Sequence, residues 1–600
     1  MPRSFSCHHK TGLRLPDISE LNGTAIANVA EFGGLTVTSA PAGTFLLDTT
    51  YGSGAAAAYS TRKLKAGVTV AARIRRSGDN IEADVEFDTN NEISLTSPIS
   101  NASSGTYTDL ADFVDHTGTA RDAFVKEWKD QSGNANHAAQ ATPGIQPQLY
   151  DATTGLITDG GKPCVKFTRS GTTGLLTPST SWSTAGAMQF FMVFNDEAST
   201  GNQETWSNAS NRMFTGAGLY MVNTAAGNLF YTSSKIADQN LFVYEHNSTA
   251  RTVYIDGTQD VTSASPANVS TTSSVGALGR RYNASEGHAD VLWQELIHYP
   301  VNQSTNRTDI EQNINSDYLI YQPTTAPTSG FLYDYGSGSG GTDAAAAYSV
   351  RQLSDKAVIC MRIRRDSDDE ELNIGFDSNG LLDTQAISDF CDTANGYVTR
   401  WWDQSTNGNH ADQPVGGTGS NGSQPHIYNG TEVITRNSKP ALYFNQDKLA
   451  ISSVSWGATR TIFTVLEPVA FDAFNPIFGT RDGSGNFAAL VGTTGNYKMQ
   501  QYPSGSFNNR DTGVAITTDQ QLIYTLFDGT GSEIGKDAST AVSVSLLAAS
   551  AENHSIASRG TDTGAGEFYM QEHVVYVSDE SSNRTGIETN IDNYFQIPGM

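Results

Sequence analysis

Short apolar runs bounded by polar turns recur along most of the chain. Phe190–Phe194 and Thr461–Leu466 have the length and composition of buried strands. Asp256-Gly257 and Asp528-Gly529 each follow such a run directly, which is a signal for a tight hairpin. The pattern predicts a protein built mainly of antiparallel strands.

Helical patterning is concentrated in two short segments. Thr308-x-x-Glu311 and Thr585-x-x-Glu588 have the spacing of capping boxes, and isoleucines four residues apart lie on one face behind each of them. We expect two short helices, each docked on a sheet.

These segments belong to an internal repeat, in which five blocks recur in the same order. The matched blocks are AAAAYS at 55–60 and 344–349, RIRR at 73–76 and 362–365, DQSGNANHA at 130–138 with DQSTNGNHA at 403–411, GKPCVKF at 161–167 with SKPALYF at 438–444, and WQELIHYPV at 293–301 with MQEHVVYVS at 570–578. We therefore predict two tandem β-sandwich domains, 45–322 and 323–600, after an N-terminal arm, 1–44, that has no second copy.

Composition agrees with this fold. Hydrophobic residues make up 38% of the chain and charged residues only 17%, so much of the polar surface comes from Ser, Thr, Asn, Gln and the 57 glycines. Such a mixture is typical of sandwiches with many tight turns.

Charge and targeting signals narrow the possible partners. Lys and Arg number 37 against 63 Asp and Glu, and the resulting net charge of −26 disfavours nucleic acid as a partner.

No apolar run is long enough to span a membrane, and the first residues contain no apolar core of a secretory signal. The four cysteines show no metal-ligand spacing and are too few for a disulfide framework, so synthesis in a reducing cytoplasm is expected.

No metal or cofactor is predicted. Cys7-His8-His9 has no distant partner pair, and the acidic stretch Asp366–Glu371 does not have the ligand spacing of a calcium loop. The RIRR blocks at 73–76 and 362–365 are each followed closely by acidic residues: Asp79, Glu82 and Asp84 in the first copy and Asp366–Glu371 in the second. We expect local ion pairs between these arginines and carboxylates.

The DQSxNxNH block contains the most specific candidate residues. Asp130 and Asp403 have the chemistry to open a tight turn by accepting backbone hydrogen bonds, and His137 and His410 to close it. Turn formation explains every residue type in the block. Contact with a sugar is the alternative function for the same four side chains.

Tryptophans are the second set of candidates, because flat aromatic faces pack against the C–H surfaces of sugars. Trp128 and Trp401 match between the copies and are expected to be core anchors. Trp206 and Trp402 have no tryptophan counterpart, so they are expected to be exposed carbohydrate-binding platforms.

Catalysis would require two carboxyl groups, about 5–5.5 Å apart in a retaining glycosidase. The repeated carboxylates are Asp130 with Asp403 and Glu295 with Glu572. We expect the two glutamates on a solvated strand face, and no residue is assigned a catalytic role.

The repeated blocks, above all AYS, RIRR, DQSxNxNHA and KPxxxF, resemble the catalytic domain of α-L-arabinofuranosidase B, and the closing blocks resemble laminin-G-like modules. The resemblance covers most of residues 45–600 and implies a concanavalin A-like jelly roll. Similar modules occur in virion proteins of tailed bacteriophages, and ISELNGTAIANV resembles the starts of phage structural proteins. The family has two adjacent cysteines beside its sugar site, which this chain does not have.

The resemblance implies a phage virion protein, made in the host cytoplasm, in which the arm binds other virion proteins and the chain forms homo-oligomers. A tail fibre or appendage that binds host-surface glycans without hydrolysing them is the expected function. An architectural fibre or head-decoration protein and an arabinofuranosidase-like glycosidase are the alternatives. No enzymatic activity is expected.

Overall fold

A computed structural model provides the structure of the protein. Between residues 1 and 44 it describes only four two-residue strands, so the other residues of the arm, including Cys7-His8-His9, lie outside the described part. From residue 45 onward it describes the chain except for 117, 179–186, 198–202, 208–210, 217–218, 225–226, 233–237, 248–249, 265–275, 282–286, 337–343, 414–423, 472–473, 482–486, 503–506, 548–551 and 559–566.

The strands of the arm pair into two minimal ribbons. They are β1 (Glu20–Leu21), β2 (Thr24–Ala25), β3 (Glu31–Phe32) and β4 (Leu35–Thr36).

The first module contains the next 22 strands. They are β5 (Ala57–Ser60), β6 (Val70–Arg76), β7 (Glu82–Glu86), β8 (Ile99–Ser100), β9 (Ala123–Trp128), β10 (Ala138–Ala139), β11 (Gln148–Asp151), β12 (Gly155–Leu156), β13 (Thr158–Asp159), β14 (Lys162–Pro163), β15 (Val165–Phe167), β16 (Leu175–Thr177), β17 (Met188–Asp196), β18 (Gln203–Ser207), β19 (Asn211–Gly216), β20 (Leu219–Thr224), β21 (Gly227–Thr232), β22 (Asn240–His246), β23 (Ala250–Ile255), β24 (Thr258–Ala264), β25 (Gly276–Leu278) and β26 (Val291–Tyr299).

The second module repeats the arrangement. Its strands are β27 (Ala344–Ser349), β28 (Ile359–Arg365), β29 (Glu371–Gly375), β30 (Asn395–Trp401), β31 (Ala411–Asp412), β32 (His426–Asn429), β33 (Thr435–Arg436), β34 (Lys439–Pro440), β35 (Leu442–Asn445), β36 (Leu449–Ser455), β37 (Arg460–Ala470), β38 (Asn475–Arg481), β39 (Phe487–Gly492), β40 (Asn496–Tyr502), β41 (Asn508–Ala515), β42 (Gln521–Phe527), β43 (Glu533–Lys536), β44 (Val542–Ser543), β45 (Glu552–Ile556) and β46 (Glu567–Tyr576).

Each module is one closed antiparallel strand network, apart from the small ribbons β13–β14 and β33–β34. The prediction of an all-β protein with two tandem sandwich domains is confirmed. The boundaries at 44/45 and 322/323 remain predictions.

Five α-helices complete the described fold. They are α1 (Leu110–Asp115), α2 (Arg307–Tyr318), α3 (Phe331–Asp334), α4 (Thr384–Cys391) and α5 (Arg584–Phe595). No helix among the described residues combines the length and apolar character needed to cross a membrane.

The central strands are buried on both faces, which explains their nearly continuous apolar sequence. β26 pairs with β17 and β5, and all nine of its residues are buried. On one face Phe190 and Trp293 belong to the core between the layers. On the other face Ile310 and Ile314 of α2 cover the sheet, as the sequence predicted.

The predicted capping boxes are wrong. α2 begins at Arg307 and α5 at Arg584, and the residues before them make no side-chain cap hydrogen bond. Glu311 and Glu588 instead pair with the arginine four residues earlier. An ion pair along the helix surface therefore replaces the expected reciprocal cap.

One of the two predicted tight hairpins forms as expected. Asp256 and Gly257 have φ values of 49° and 75°, and they link Ile255 of β23 to Thr258 of β24 in a two-residue loop. After Asp528 the chain makes a short 3₁₀ turn at Gly529–Gly531 before it returns as β43.

Candidate functional site

Asp130 organises the DQSGNANH loop by accepting several hydrogen bonds. Its carboxylate accepts the backbone N–H groups of Ala58, Ser132 and Asn136 at 2.8–2.9 Å and the Ser132 hydroxyl at 2.8 Å. Its own backbone N–H donates to Nδ1 of His137 at 3.0 Å. The loop is thereby fastened to β5.

The second copy reproduces these contacts. Asp403 accepts the backbone N–H groups of Ala347, Ser405 and Asn409 at 2.8–2.9 Å, and its own N–H donates to His410 Nδ1 at 3.2 Å. Burial raises the pKa of Asp403 above its ordinary value, against these hydrogen bonds. The contacts support the turn-forming role of both aspartates, and sugar contact by the four loop residues stays a prediction.

Trp206 and Trp402 are not exposed platforms, contrary to expectation. Their exposed fractions are only 2% and 5%. Trp206 packs on Phe190 with ring centroids 4.7 Å apart, and Trp402 lies between His410 and the guanidinium of Arg400. Local aromatic and cation–π packing covers both rings, so neither offers an open face to a sugar.

Trp128 and Trp401 are fully buried, as expected for core anchors. Their indole N–H groups donate to the backbone carbonyls of Ser60 and Ser349. The repeat is therefore strongest at residues that hold the sandwich together.

Glu295 and Glu572 are also fully buried, so the expectation of a solvated strand face is wrong. Arg62 binds Glu295 with two nitrogens at 2.7 and 3.1 Å, and Arg351 binds Glu572 at 2.8 and 3.0 Å. The terminal helix covers this side of the sheet, which explains the burial. Both carboxylates are structural anchors.

The RIRR blocks form local ion pairs, as predicted. Arg76 binds Asp79 at 2.8 Å and Arg365 binds Asp368 at 2.6 Å. Arg73 pairs with Glu82 and Asp84. Within the described residues no cluster of three metal-ligating side chains occurs.

Three aromatic side chains that the sequence analysis did not select form a surface on the second module, the aromatic face. Phe487 and Tyr502 are cross-strand partners on β39 and β40, with rings 5.6 Å apart and inclined by 7°. Phe507 precedes β41, lies 6.1 Å from Phe487 and is 55% exposed. The aromatic face thus exposes the ring of Phe507 to solvent, beside the stacked rings of Phe487 and Tyr502.

Polar groups border the aromatic face. Residues 509–511 of β41 are exposed, and Gln500 donates to Asn509 at 3.3 Å. The paired strands of the two modules correspond at an offset of 277, from Met213 and Val222 to Leu490 and Met499. The sequence of the first module therefore has Ser210 and Ala225 at the positions of Phe487 and Tyr502. A comparison of the copies for unmatched aromatics of any type, instead of tryptophan alone, would have found this surface.

Comparison with known proteins gives one family match. Residues 300–447, from the end of the first module into the second, match the model of "Alpha-L-arabinofuranosidase B, catalytic". No curated protein matches the sequence.

Solved structures with similar folds are distant in sequence. A GH54 α-L-arabinofuranosidase variant soaked with 4-nitrophenyl α-L-arabinofuranoside aligns at 15% identity over 41% of this chain and 62% of that chain, with a TM-score of 0.34. An arabinofuranosidase complexed with arabinofuranosyl-α-1,2-xylobiose aligns at 14% identity over 65% and 85%, with a TM-score of 0.31. Mouse laminin α1 chain, domains LG4-5, aligns at 9% identity over 67% and 84%, with a TM-score of 0.20.

The family match corrects one expectation. The matched model is that of a catalytic domain, which contradicts the expectation that the chain is not an enzyme. This chain spans 62% of the length of the first arabinofuranosidase structure. The protein is a pair of β-sandwich modules with similarity, over residues 300–447, to the catalytic domain of arabinofuranosidase B.

Proposed function

We propose that the protein binds glycans on a host-cell surface as part of a tail fibre or other appendage of a bacteriophage particle. The aromatic face carries the glycan-binding part of this proposal. Phe507 offers an open ring for the apolar C–H side of a sugar, and the exposed polar residues of β41 are placed to bind its hydroxyl groups.

Glycan binding is assigned to the second module, and several chains are expected to be needed for firm attachment to a cell surface. A single shallow aromatic contact gives weak affinity, whereas several copies in one particle increase avidity without new contacts. Oligomer formation and attachment to other virion proteins through residues 1–44 belong to the same proposal, supported by the resemblance of the arm to the starts of phage structural proteins.

The decisive experiment is retention of the full chain on immobilised host polysaccharide. We expect Phe507→Ala to weaken binding by about tenfold or more, because it removes the exposed stacking ring. Phe507→Trp should retain binding. Val301→Ala is the matched control, because Val301 is an exposed apolar residue, 52% accessible, on the first module.

Equal retention of wild type and Phe507→Ala would refute the aromatic face as the binding surface. Absence of retention on any host polysaccharide would favour an architectural virion component instead.

Hydrolysis of arabinofuranosides is the second candidate function. The observation that favours it is the match of residues 300–447 to a catalytic-domain model. Release of arabinose from an arabinose-substituted polysaccharide by the purified chain would support this candidate. The anchors Glu295 and Glu572 are unsuitable targets for its test, because their removal disturbs the fold.

A further inference from the structure

Two histidines of the second module meet inside its core. His554 lies on β45 and His573 on β46, both are fully buried, and their Nε2 atoms are 2.8 Å apart. Nδ1 of His573 is 2.9 Å from the Thr464 hydroxyl, while Nδ1 of His554 has no hydrogen-bond partner within the described part of the chain. The rings of Phe478 and Trp456 pack on His554, with centroids 5.8 and 5.2 Å away. We call His554 and His573 the histidine pair.

The contact between the two rings depends on how many protons they hold. A neutral imidazole has one N–H donor and one nitrogen acceptor, whereas an imidazolium has two donors and no acceptor. One Nε2 can therefore donate to the other as long as at least one ring is neutral. When both rings are protonated, two N–H groups point at each other and the hydrogen bond is lost.

The charges around the histidine pair disfavour its protonation. Arg460 of β37 is buried, and its positive charge acts on His554. Tyr348 of β27 is a second titratable neighbour, with its ring stacked on His573 at 6.3 Å. Within the described residues, no carboxylate is among the charges that shift either histidine. The carboxylates of this region act on Tyr348 instead, namely Asp403 and Asp412.

Burial lowers the proton affinity of both rings. Removal from water lowers the pKa of His573 to about 3 and that of His554 well below its ordinary value of 6.5. Opening of the strands returns both rings to water, where they bind protons below about pH 6.5. Opening is therefore coupled to proton uptake, and the closed structure loses stability as the pH falls below about 6.5.

The first module has apolar side chains at the equivalent place. β17 and β26 correspond to β37 and β46, and the positions of Thr464 and His573 are occupied there by Met192 and Leu296. The fold therefore accepts an apolar pair at this point. The first module has buried histidines at other strand positions, namely His246 and His298, so each module is best compared with its own variants.

The histidine pair is connected to the aromatic face through the sheet. β45 pairs with β38, where His554 lies opposite Thr480. β38 pairs in turn with β39, which carries Phe487. Separation of β45 would leave β38 with β39 as its remaining neighbour, so the strands of the aromatic face would lose support on that side.

We propose that the histidine pair is an acid-sensitive switch, in which protonation of both rings releases β45 from the core and loosens the strands that carry the aromatic face. Loss of glycan binding in acid is the expected consequence, and this part rests on the proposed glycan-binding function. The release of β45 itself does not depend on that function.

Hydrogen–deuterium exchange of the full chain at pH 7.5 and 5.0, followed by mass spectrometry, tests the switch. The measured quantity is the protection of the β45 amides, corrected for the intrinsic effect of pH on exchange. Each histidine freed in the open state should lower wild-type protection about 30-fold between these pH values. The double variant Thr464→Met with His573→Leu copies the first module and should remove the share of His573.

His554→Phe is the second variant, because a phenyl ring keeps the contacts with Phe478 and Trp456 but binds no proton. It should remove the share of His554, again about 30-fold. Val575→Ala is the matched control, since it opens a cavity on β46 in the same core and changes no titratable group. It should lower protection at both pH values and leave the loss between them as in wild type.

An equal loss of protection between pH 7.5 and 5.0 in wild type, in Thr464→Met with His573→Leu and in His554→Phe would overturn the switch. If one of these variants does not fold, the other decides the question.

Retention on host polysaccharide at the same two pH values separates the switch from the proposed function. Retention that is lost at pH 5.0 in wild type and kept in the two histidine variants would support the switch and its coupling to binding. No retention at pH 7.5 would refute glycan binding alone. Retention that persists at pH 5.0 while β45 loses protection would refute the coupling to the aromatic face alone.

Discussion

At the residue scale, the duplicated buried ion pair is the strongest local anchor of each module. Arg351 meets Glu572 through two nitrogens, its third donor reaches Asn590 of α5 at 2.8 Å, and the Ser349 hydroxyl donates to the same carboxylate at 2.7 Å. The anchor joins the start of the module to its last strand and terminal helix. These hydrogen bonds satisfy the buried charges of Arg351 and Glu572. Removing one of the two side chains would leave the other buried without a counter-charge, which strongly destabilises the fold.

We expect Arg351→Met to destabilise the second module by about 3–5 kcal/mol, because it leaves Glu572 buried without a counter-charge. Urea unfolding of the full chain, followed by fluorescence, measures this loss. The control Arg73→Met removes a partly exposed pair and should cost about 1 kcal/mol or less.

The double variant Arg351→Met with Glu572→Leu should regain most of the lost stability, since it replaces the pair by apolar groups. A double variant as unstable as Arg351→Met alone would contradict this account of the anchor.

Residue types alone predict the turn but not the anchor. The Asp, Ser and Asn residues of DQSxNxNH have one shared chemistry, backbone capping, so Asp130 and Asp403 could be interpreted correctly as turn residues. Glu295 lies in a strand that is covered on both faces. Nothing in the neighbouring sequence indicates that its partner is Arg62, 233 positions earlier in the chain. Long-range pairing of this kind is decided by the fold.

At the element scale, the terminal helices close the modules, and their internal ion pairs have replaced capping. Glu311 lies on the buried side of α2, where removal from water raises its pKa to about 7 despite the attraction of Arg307. The charged groups that face it are Arg307, Asp256 and Glu245. The spacing of the isoleucines predicted the apolar face of α2. The residue at which the helix begins was not predicted, because Glu311 pairs with Arg307 and does not take part in a capping box.

The position of Glu311 predicts a pH dependence of stability. Its folded pKa exceeds its unfolded value of about 4.5, so the folded state holds the proton more tightly between pH 4.5 and 7. The free energy of unfolding therefore falls as pH rises through this window, by up to about 3 kcal/mol from this group.

Melting temperatures at pH 5.0 and 7.5 test the dependence. The drop in Tm between these pH values should be smaller in Glu311→Gln than in wild type, and unchanged in Asp309→Asn, an exposed carboxylate on the same helix. Identical drops in all three proteins would show that Glu311 does not titrate in this range.

At the scale of the whole molecule, duplication has preserved the frame and changed the surface. The anchors, the DQSxNxNH loops and the core tryptophans match between modules, but the first module has Ser210 and Ala225 in its sequence where the aromatic face has Phe487 and Tyr502. The sequence repeat predicted the frame, because frame residues recur. A surface specific to one copy leaves no repeat signal, so the search for repeated residues and unmatched tryptophans missed the aromatic face.

The arm is the part of the molecule for which we propose attachment to other virion proteins. Residues 1–44 are rich in Gly, Ala, Val and Thr, and their four described strands are two residues long. Such a segment is too poor in large apolar residues to bury a core of its own, and we expect it to bind a partner in an assembly. We expect a chain without residues 1–44 to keep the melting temperature of both modules and full retention on polysaccharide, because the core clusters begin at Leu46.

Phage complemented with the truncated gene should carry none of the protein, as measured by mass spectrometry of purified particles, whereas Phe507→Ala should assemble at normal copy number. Truncated protein at normal copy number on the particle would contradict the attachment role of the arm, and absence of the full-length chain from particles would contradict the virion assignment itself.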